Sequence, residues 1–262
     1  MSKWGAELDF LEERIPKIYS RGVSLGIESR GKGGFDLVTT LDLFIEREFG
    51  KMICSRFPDD RIMGEEYSPD IPLSGRVWVV DPIDGTVNMA YGLPIYGVQV
   101  ALTVDANVVL AVMYFPGLGH FIRAEEGQGA FCNGQRLHVG SRSNLKDLMI
   151  SFGDFPHDNP EELNMQHDMM VKLAARVSKI RMFGAASYDL LSVAAGHSDA
   201  HVAFARNPWD LLPGILVCKE AGGVTVDITG QPYAIGADGI VAGSNSSVVA
   251  NLMSTINNSA NP

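Results

Sequence analysis

Cysteine is scarce here: Cys54, Cys132 and Cys218 are the only three in 262 residues. Their odd number, their wide spacing and the lack of any Cys-x-x-Cys pair argue against a disulfide framework and against a cysteine zinc site. Free thiols suit a reducing cytosol. Positive charge is also in deficit, with 21 Lys and Arg against 31 Asp and Glu and a net charge of −10. That balance argues against direct binding to nucleic acid or to an anionic membrane. It leaves an anionic substrate open, because bound metal ions reverse the local sign. No apolar run approaches the ~18 residues of a membrane span, and MSKWGAELDFLEERIPK lacks the apolar core of a signal peptide. The expectation is a soluble, cytoplasmic protein with no membrane partner. The six histidines are scattered, with no His-Glu-x-x-His arrangement for zinc.

What is present is an ordinary globular composition, 46% hydrophobic and 20% charged. Leu8, Leu11, Ile15 and Ile18 recur at helical spacing, with Pro16 placed to kink or split that helix. SRGKGG reads as a flexible loop carrying Arg30 and Lys32. FDLVTTLDLFIEREFGKMICSRFP reads as a short strand and a helix, with Thr39 or Thr40 as cap and Asp42 in the first turn. RIMGEEY and RVWVVDPIDG are strands that end in acids. From Gly97 the pattern becomes antiparallel, and after Ser141 helices alternate with short strands. We therefore expect an antiparallel α+β part over 1–144 and an α/β part over 145–262, packed tightly without a linker.

The acids gather at element ends: Glu65 and Glu66 after RIM, Asp81 and Asp84 after WVV, and Asp210 opening the helix of PWDLLPGILV. Alone, each also reads as solvated surface or a helix cap. Brought together, they cannot all ionise without cations, and oxygen-only donors select Mg²⁺, Mn²⁺ or Ca²⁺. In DPIDGT, Pro82 stiffens the chain, Gly85 permits an unusual backbone angle, and Thr86 can open a helix whose N–H groups face phosphate.

DPIDGT at 81–86, GEE at 64–66, Trp209-Asp210 and Glu220-Ala221-Gly222-Gly223 resemble the inositol monophosphatase family. FDLVTTLD at 35–42 and EGQGAFCNGQRL at 126–137 extend the resemblance over most of the chain. It implies a layered αβαβα sugar-phosphatase fold and a Mg²⁺-dependent, lithium-sensitive phosphomonoesterase with two or three ions, for which Mn²⁺ could substitute. Glu65, Asp81 and the Ile83 carbonyl would bind one metal. Asp81, Asp84 and Asp210 would bind the second, and Glu66 would support or weakly bind a third. Thr86 and Asp42 would activate water, with Glu65 also in the catalytic set. Asp84, Gly85, Thr86, Ala186, Ala203 and Asp210 would meet the substrate. Lys32 resembles part of a mobile family loop. A homodimer is expected.

The resemblance breaks at the alcohol end. The family's inositol-binding glutamate, seven residues before the aspartate of the Trp-Asp pair, is Ala203 here. Its methyl cannot accept a hydroxyl hydrogen bond. Inositol 1-phosphate therefore competes with histidinol phosphate, fructose 1,6-bisphosphate and 3′-phosphoadenosine 5′-phosphate as substrate, the last disfavoured by Val87-Asn88 after DGT. A reading of another class is a non-catalytic or dual-role protein in an RNA-processing or transcription complex.

Overall fold

The computed structural model describes residues 2–33, 36–67, 70–155 and 159–257. Seven helices are described: α1 (Gly5–Ser24), α2 (Thr40–Arg56), α3 (Thr86–Ala90), α4 (Pro160–Ala174), α5 (Ala186–Ala194), α6 (Pro208–Glu220) and α7 (Ser246–Asn257). The strands begin with a hairpin, β1 (Ser29–Gly33) and β2 (Asp36–Thr39). A seven-stranded sheet follows: β3 (Arg61–Gly64), β4 (Arg76–Asp84), β5 (Gly97–Val104), β6 (Asn107–Phe115), β7 (His120–Glu125), β8 (Gly129–Cys132) and β9 (Gln135–Arg136), side by side in chain order. Only β3 and β4 are parallel in it. The second sheet holds β10 (Met149–Phe152), β11 (Lys179–Arg181), β12 (Ala200–Ala203), β13 (Val224–Asp227) and β14 (Ile240–Gly243), in the order β11-β10-β12-β14-β13.

The alternation of β4 shows how these residues build layers. Trp78 and Val80 pack against Leu8, Leu11 and Ile15 of α1 and Leu41 and Ile45 of α2. Their neighbours Val77 and Val79 face Leu190 and Val193 of α5 and Leu211, Leu212 and Ile215 of α6. Period-two side chains thus supply both faces of one buried strand. Ala203, Ile240 and Ala242 of the second sheet join the α5–α6 cluster from the other side. Beyond that sheet, Ile150, Phe152, Val202 and Val241 pack on Met169 and Leu173 of α4 and Val248 and Leu252 of α7. The result is the expected αβαβα stack, with α5 and α6 as the middle layer. Gly214 makes that layer tight, since a Cβ there would lie 2.4 Å from Leu190 Cδ1.

Two local expectations are corrected. α1 runs unbroken through Pro16: its apolar stripe, with Leu8, Leu11 and Ile15 buried before the proline and Ile18 half-buried beyond it, holds the helix together. SRGKGG is not wholly a loop, because Ser29–Gly33 pairs with β2; ladder bonds come from the backbone and need no apolar side chains. Lys32 falls in that strand, but its side chain lies outside the described residues. Thr39, not Thr40, caps α2, in a reciprocal box with Asp42. The three cysteines are free thiols. No helix among the described residues is long and apolar enough to cross a membrane.

Trp78 anchors the first core: it is fully buried and its indole N–H donates to Asp60 Oδ2 at 2.8 Å. Trp78→Ala should destabilise the protein by about 3–5 kcal/mol. Urea unfolding should show a lower midpoint with an unchanged slope; an unchanged midpoint would refute this packing.

Candidate active site

Residues three apart on a regular strand point to opposite faces. Asp81 and Asp84 nevertheless line the same cleft. The cause is a bulge: Asp81 pairs with Gln99 and Asp84 with Gly97, so β4 spends one residue more than β5 in this interval. Pro82, which has no N–H for the ladder, sits inside the bulge. Gly85 then turns at φ +79°, and a Cβ there would lie 2.9 Å from the Ile95 carbonyl and 3.0 Å from Ala185 Cβ. α3 starts at the next residue.

Four acids surround this bend. Asp81 is 1% exposed, and its Oδ1 has no hydrogen-bond partner; its Oδ2 accepts a 3.3 Å bond from Gln99. Burial, then the charges of Glu65, Asp84 and Asp210, holds the Asp81 carboxyl well above the usual range. Asp84 reaches the start of α5, where it accepts from Ser187 N at 2.7 Å, from Ala186 N at 3.3 Å and from the Ser187 hydroxyl. Burial outweighs these bonds and pushes Asp84 up to about 6. Asp210, in the first turn of α6, accepts from Asn207 Nδ2 at 3.0 Å. Glu65 lines the cleft, whereas Glu66 is not part of its wall. Among the described residues, no three acid, histidine or cysteine side chains already converge as a closed metal cage. The orphaned Asp81 oxygen and the oxygen-only donor set fit a hard divalent cation.

The structure also brings Asp42 to Thr86. Asp42 is 1% exposed. Its Oδ2 takes the Thr39 N–H at 2.8 Å and the Thr39 hydroxyl, and its Oδ1 lies 3.3 Å from Thr86 Oγ1. The same threonine hydroxyl lies 2.7 Å from the Ile83 carbonyl, which is its closer acceptor. Burial raises the Asp42 carboxyl to about 6 against the Thr39 bonds that lower it.

Sequence reasoning missed several supports. Glu46 is buried one helical turn after Asp42, and its carboxylate accepts the backbone N–H of Glu66 at 2.8 Å and of Tyr67 at 2.9 Å. The i, i+4 spacing from Asp42 was the available signal. Ser187 gave none, and Asn88, noted only for its place after DGT, gave none for this role. Asn88 donates to the Ile95 and Phe183 carbonyls at 2.9 and 2.7 Å, tying α3 to the segment before α5.

The cleft measures about 570 Å³ and continues past Ala186 to Gly153, Asp154, Ala203 and Arg206. Ala203 is buried against Gly153. Arg206 is a cleft residue rather than a plain surface one. It pairs with Glu162 through both terminal nitrogens and with Asp238 at 2.9 Å. Asp189 and His201, which sequence analysis also passed over, lie in the wall.

Comparison with known proteins agrees with this geometry. The profile of the inositol monophosphatase family matches residues 12–260. A fructose-1,6-bisphosphatase/inositol-1-monophosphatase of Thermotoga maritima is 35% identical over 76% of this chain and 75% of its own. A histidinol-phosphatase of Chlorobaculum parvum is 33% identical over 84% of this chain and 83% of its own. The crystal structure of the extragenic suppressor protein suhB from Bartonella henselae superposes with a TM-score of 0.87 at 29% identity, covering 97% of this chain and all of that one. With its fold, its acid-lined cleft and a family match over nearly its whole length, this chain belongs to the inositol monophosphatase family and is a phosphoric monoester hydrolase.

Proposed function

We propose that the chain is a Mg²⁺-dependent, lithium-inhibited phosphatase of a small phosphate monoester, releasing the alcohol and inorganic phosphate. The observation that carries this reading is the Asp81 carboxylate, buried with one oxygen unpartnered among Glu65, Asp84 and Asp210. A buried anion in that setting calls for a cation. Among the described residues of the cleft the cationic side chain is Arg206, and Glu162 and Asp238 already engage it. Glu65, Asp81 and the Ile83 carbonyl would hold one Mg²⁺; Asp81, Asp84 and Asp210 would hold a second. Glu66 would support a third, and Mn²⁺ suits the same oxygens. Bound Mg²⁺ would neutralise phosphate charge and lower the pKa of water.

The protein's own groups do the rest. Thr86 Oγ1, held by Ile83 O and Asp42 Oδ1, orients the attacking water and relays its proton to the Asp42 carboxylate. Thr39 keeps Asp42 in place through two donors. The bend at Gly85, too tight for a side chain, lets the Gly85 and Thr86 backbone N–H groups approach the phosphate. Glu46 fixes the turn that carries Glu65 by taking two N–H groups from it. Asp84 and Asp210 border the alcohol side with Ala186 and Ala203. No covalent phospho-enzyme is needed. Ala203 favours an alcohol other than inositol, because the hydroxyl acceptor of the family is missing there.

Val87, Tyr91, Leu93 and Met182 are exposed, and Asn88 ties their two segments together. This apolar surface supports a homodimer. The free thiols support a cytoplasmic location.

Asp84→Asn and Asp210→Asn should each cut phosphate release by about 10²-fold or more, with circular dichroism unchanged. Chelation should abolish wild-type turnover and Mg²⁺ restore it; undiminished release in either variant, or after chelation, would sink the site assignment. Thr86→Ala should lower kcat by about 10²-fold with a much smaller change in KM. A KM effect alone would show that Thr86 binds substrate without activating water. Tyr91→Glu should halve the mass measured by light scattering, and an unchanged mass would place the dimer contact elsewhere or exclude it.

A further inference from the structure

The alcohol end of the cleft holds two buried polar atoms without a protein partner, Asp189 Oδ1 and His201 Nε2. Neither belongs to the machinery above. His201 lies on β12, two residues before Ala203, so both side chains leave the same face of the strand. Asp189 comes from α5, and both residues line the cleft while almost wholly buried. Ser151 on β10 joins them. Its hydroxyl is 2.9 Å from His201 Nδ1. His201 Nδ1 lies 3.7 Å from Asp189 Oδ1.

The order of protons follows from these contacts. Ser151 has one hydroxyl proton. In the tautomer whose His201 Nδ1–H donates to the Ser151 oxygen, Nε2 keeps a bare lone pair. Burial pushes the imidazole down to about 3, so the ring is neutral. Burial, then the charges of Asp84 and Asp154, holds the Asp189 carboxyl well above the usual range, so a cation beside it is what lets it ionise; toward a cation the corner offers two acceptors, Asp189 Oδ1 and His201 Nε2.

Its surroundings sharpen the choice of ligand. Asp154 adds negative charge beside Asp189, and Phe155, Ala203 and Phe204 make the nearby wall apolar. Arg206 has its charge met by Glu162 and Asp238. A polyol would bring donors, but also lone pairs, which the side chains of Phe155, Ala203 and Phe204 do not meet. A protonated amine brings donors alone, and its carbon chain can cover the apolar side.

We propose that Asp189 and His201 are specificity-determining residues that recognise a protonated amine on the alcohol of the substrate. The cleft thereby selects amino-alcohol phosphates over neutral polyol phosphates. Ser151 acts as a positioning residue that orients His201. This inference rests on the phosphatase reading.

The test compares kcat/KM for 3-aminopropyl phosphate, its isostere 3-hydroxypropyl phosphate and inositol 1-phosphate, using the full chain with Mg²⁺. The wild type should prefer the amine over the hydroxyl by about tenfold or more. Asp189→Asn and His201→Phe should each cut that preference about tenfold, and Ser151→Ala should cut it in part. Melting temperatures of all variants serve as the folding control. A preference that survives Asp189→Asn and His201→Phe while their melting temperatures fall would mean a purely structural pair, and would overturn the proposal. Equal or better turnover of the neutral esters by the wild type would overturn it too, leaving the phosphatase reading intact. Failure to hydrolyse any of the three would overturn both.

Discussion

The site depends on a repulsion. Asp81, Asp84, Glu65 and Asp210 are brought within electrostatic reach of one another in a partly dry cleft, where carboxylates resist ionising together. Around this arrangement the fold places donors. Ser187 and Ala186 serve Asp84, Asn207 serves Asp210, and Gln99 serves one oxygen of Asp81. The other Asp81 oxygen is left over, and it is where the proposed cation would bind.

The layered architecture exists around that point. Asp81 and Asp84 come from the first sheet, Ser187 and Asp210 from the two helices of the middle layer, and His201 and Ala203 from the second sheet. The cleft is therefore a property of the stack rather than of either half. Packing that fixes α5 and α6 against both sheets, such as Gly214 on Leu190, also sets the distance between the acid-lined end of the cleft and the end at Ala203.

Much of this was legible in the residues. The period-two alternation of β4, the cap of α2 and the recurrence of acids at element ends are local patterns, and local geometry follows them. SRGKGG was misread as a loop, and no split occurs at Pro16, because wider contacts overrode local preference: a partner strand in one case, a buried apolar stripe in the other. Glu46 was readable from its spacing to Asp42. Ser187, Asn88, Asp189 and His201 were not, since nothing in their own neighbourhoods announces a partner roughly a hundred positions away or on another element.

The sequence by itself determined the chemistry of the bend proposed to hold phosphate. Pro82, Gly85 and the acids at fixed short spacings restrict what that segment can bind. Tertiary structure alone decided that Asp81 and Asp84 share a face, because the extra residue appears only in the pairing of β4 with β5. It alone also set His201 and Asp189 beside Ala203, because contacts between a strand and a helix depend on how layers pack, and no local pattern encodes that distance.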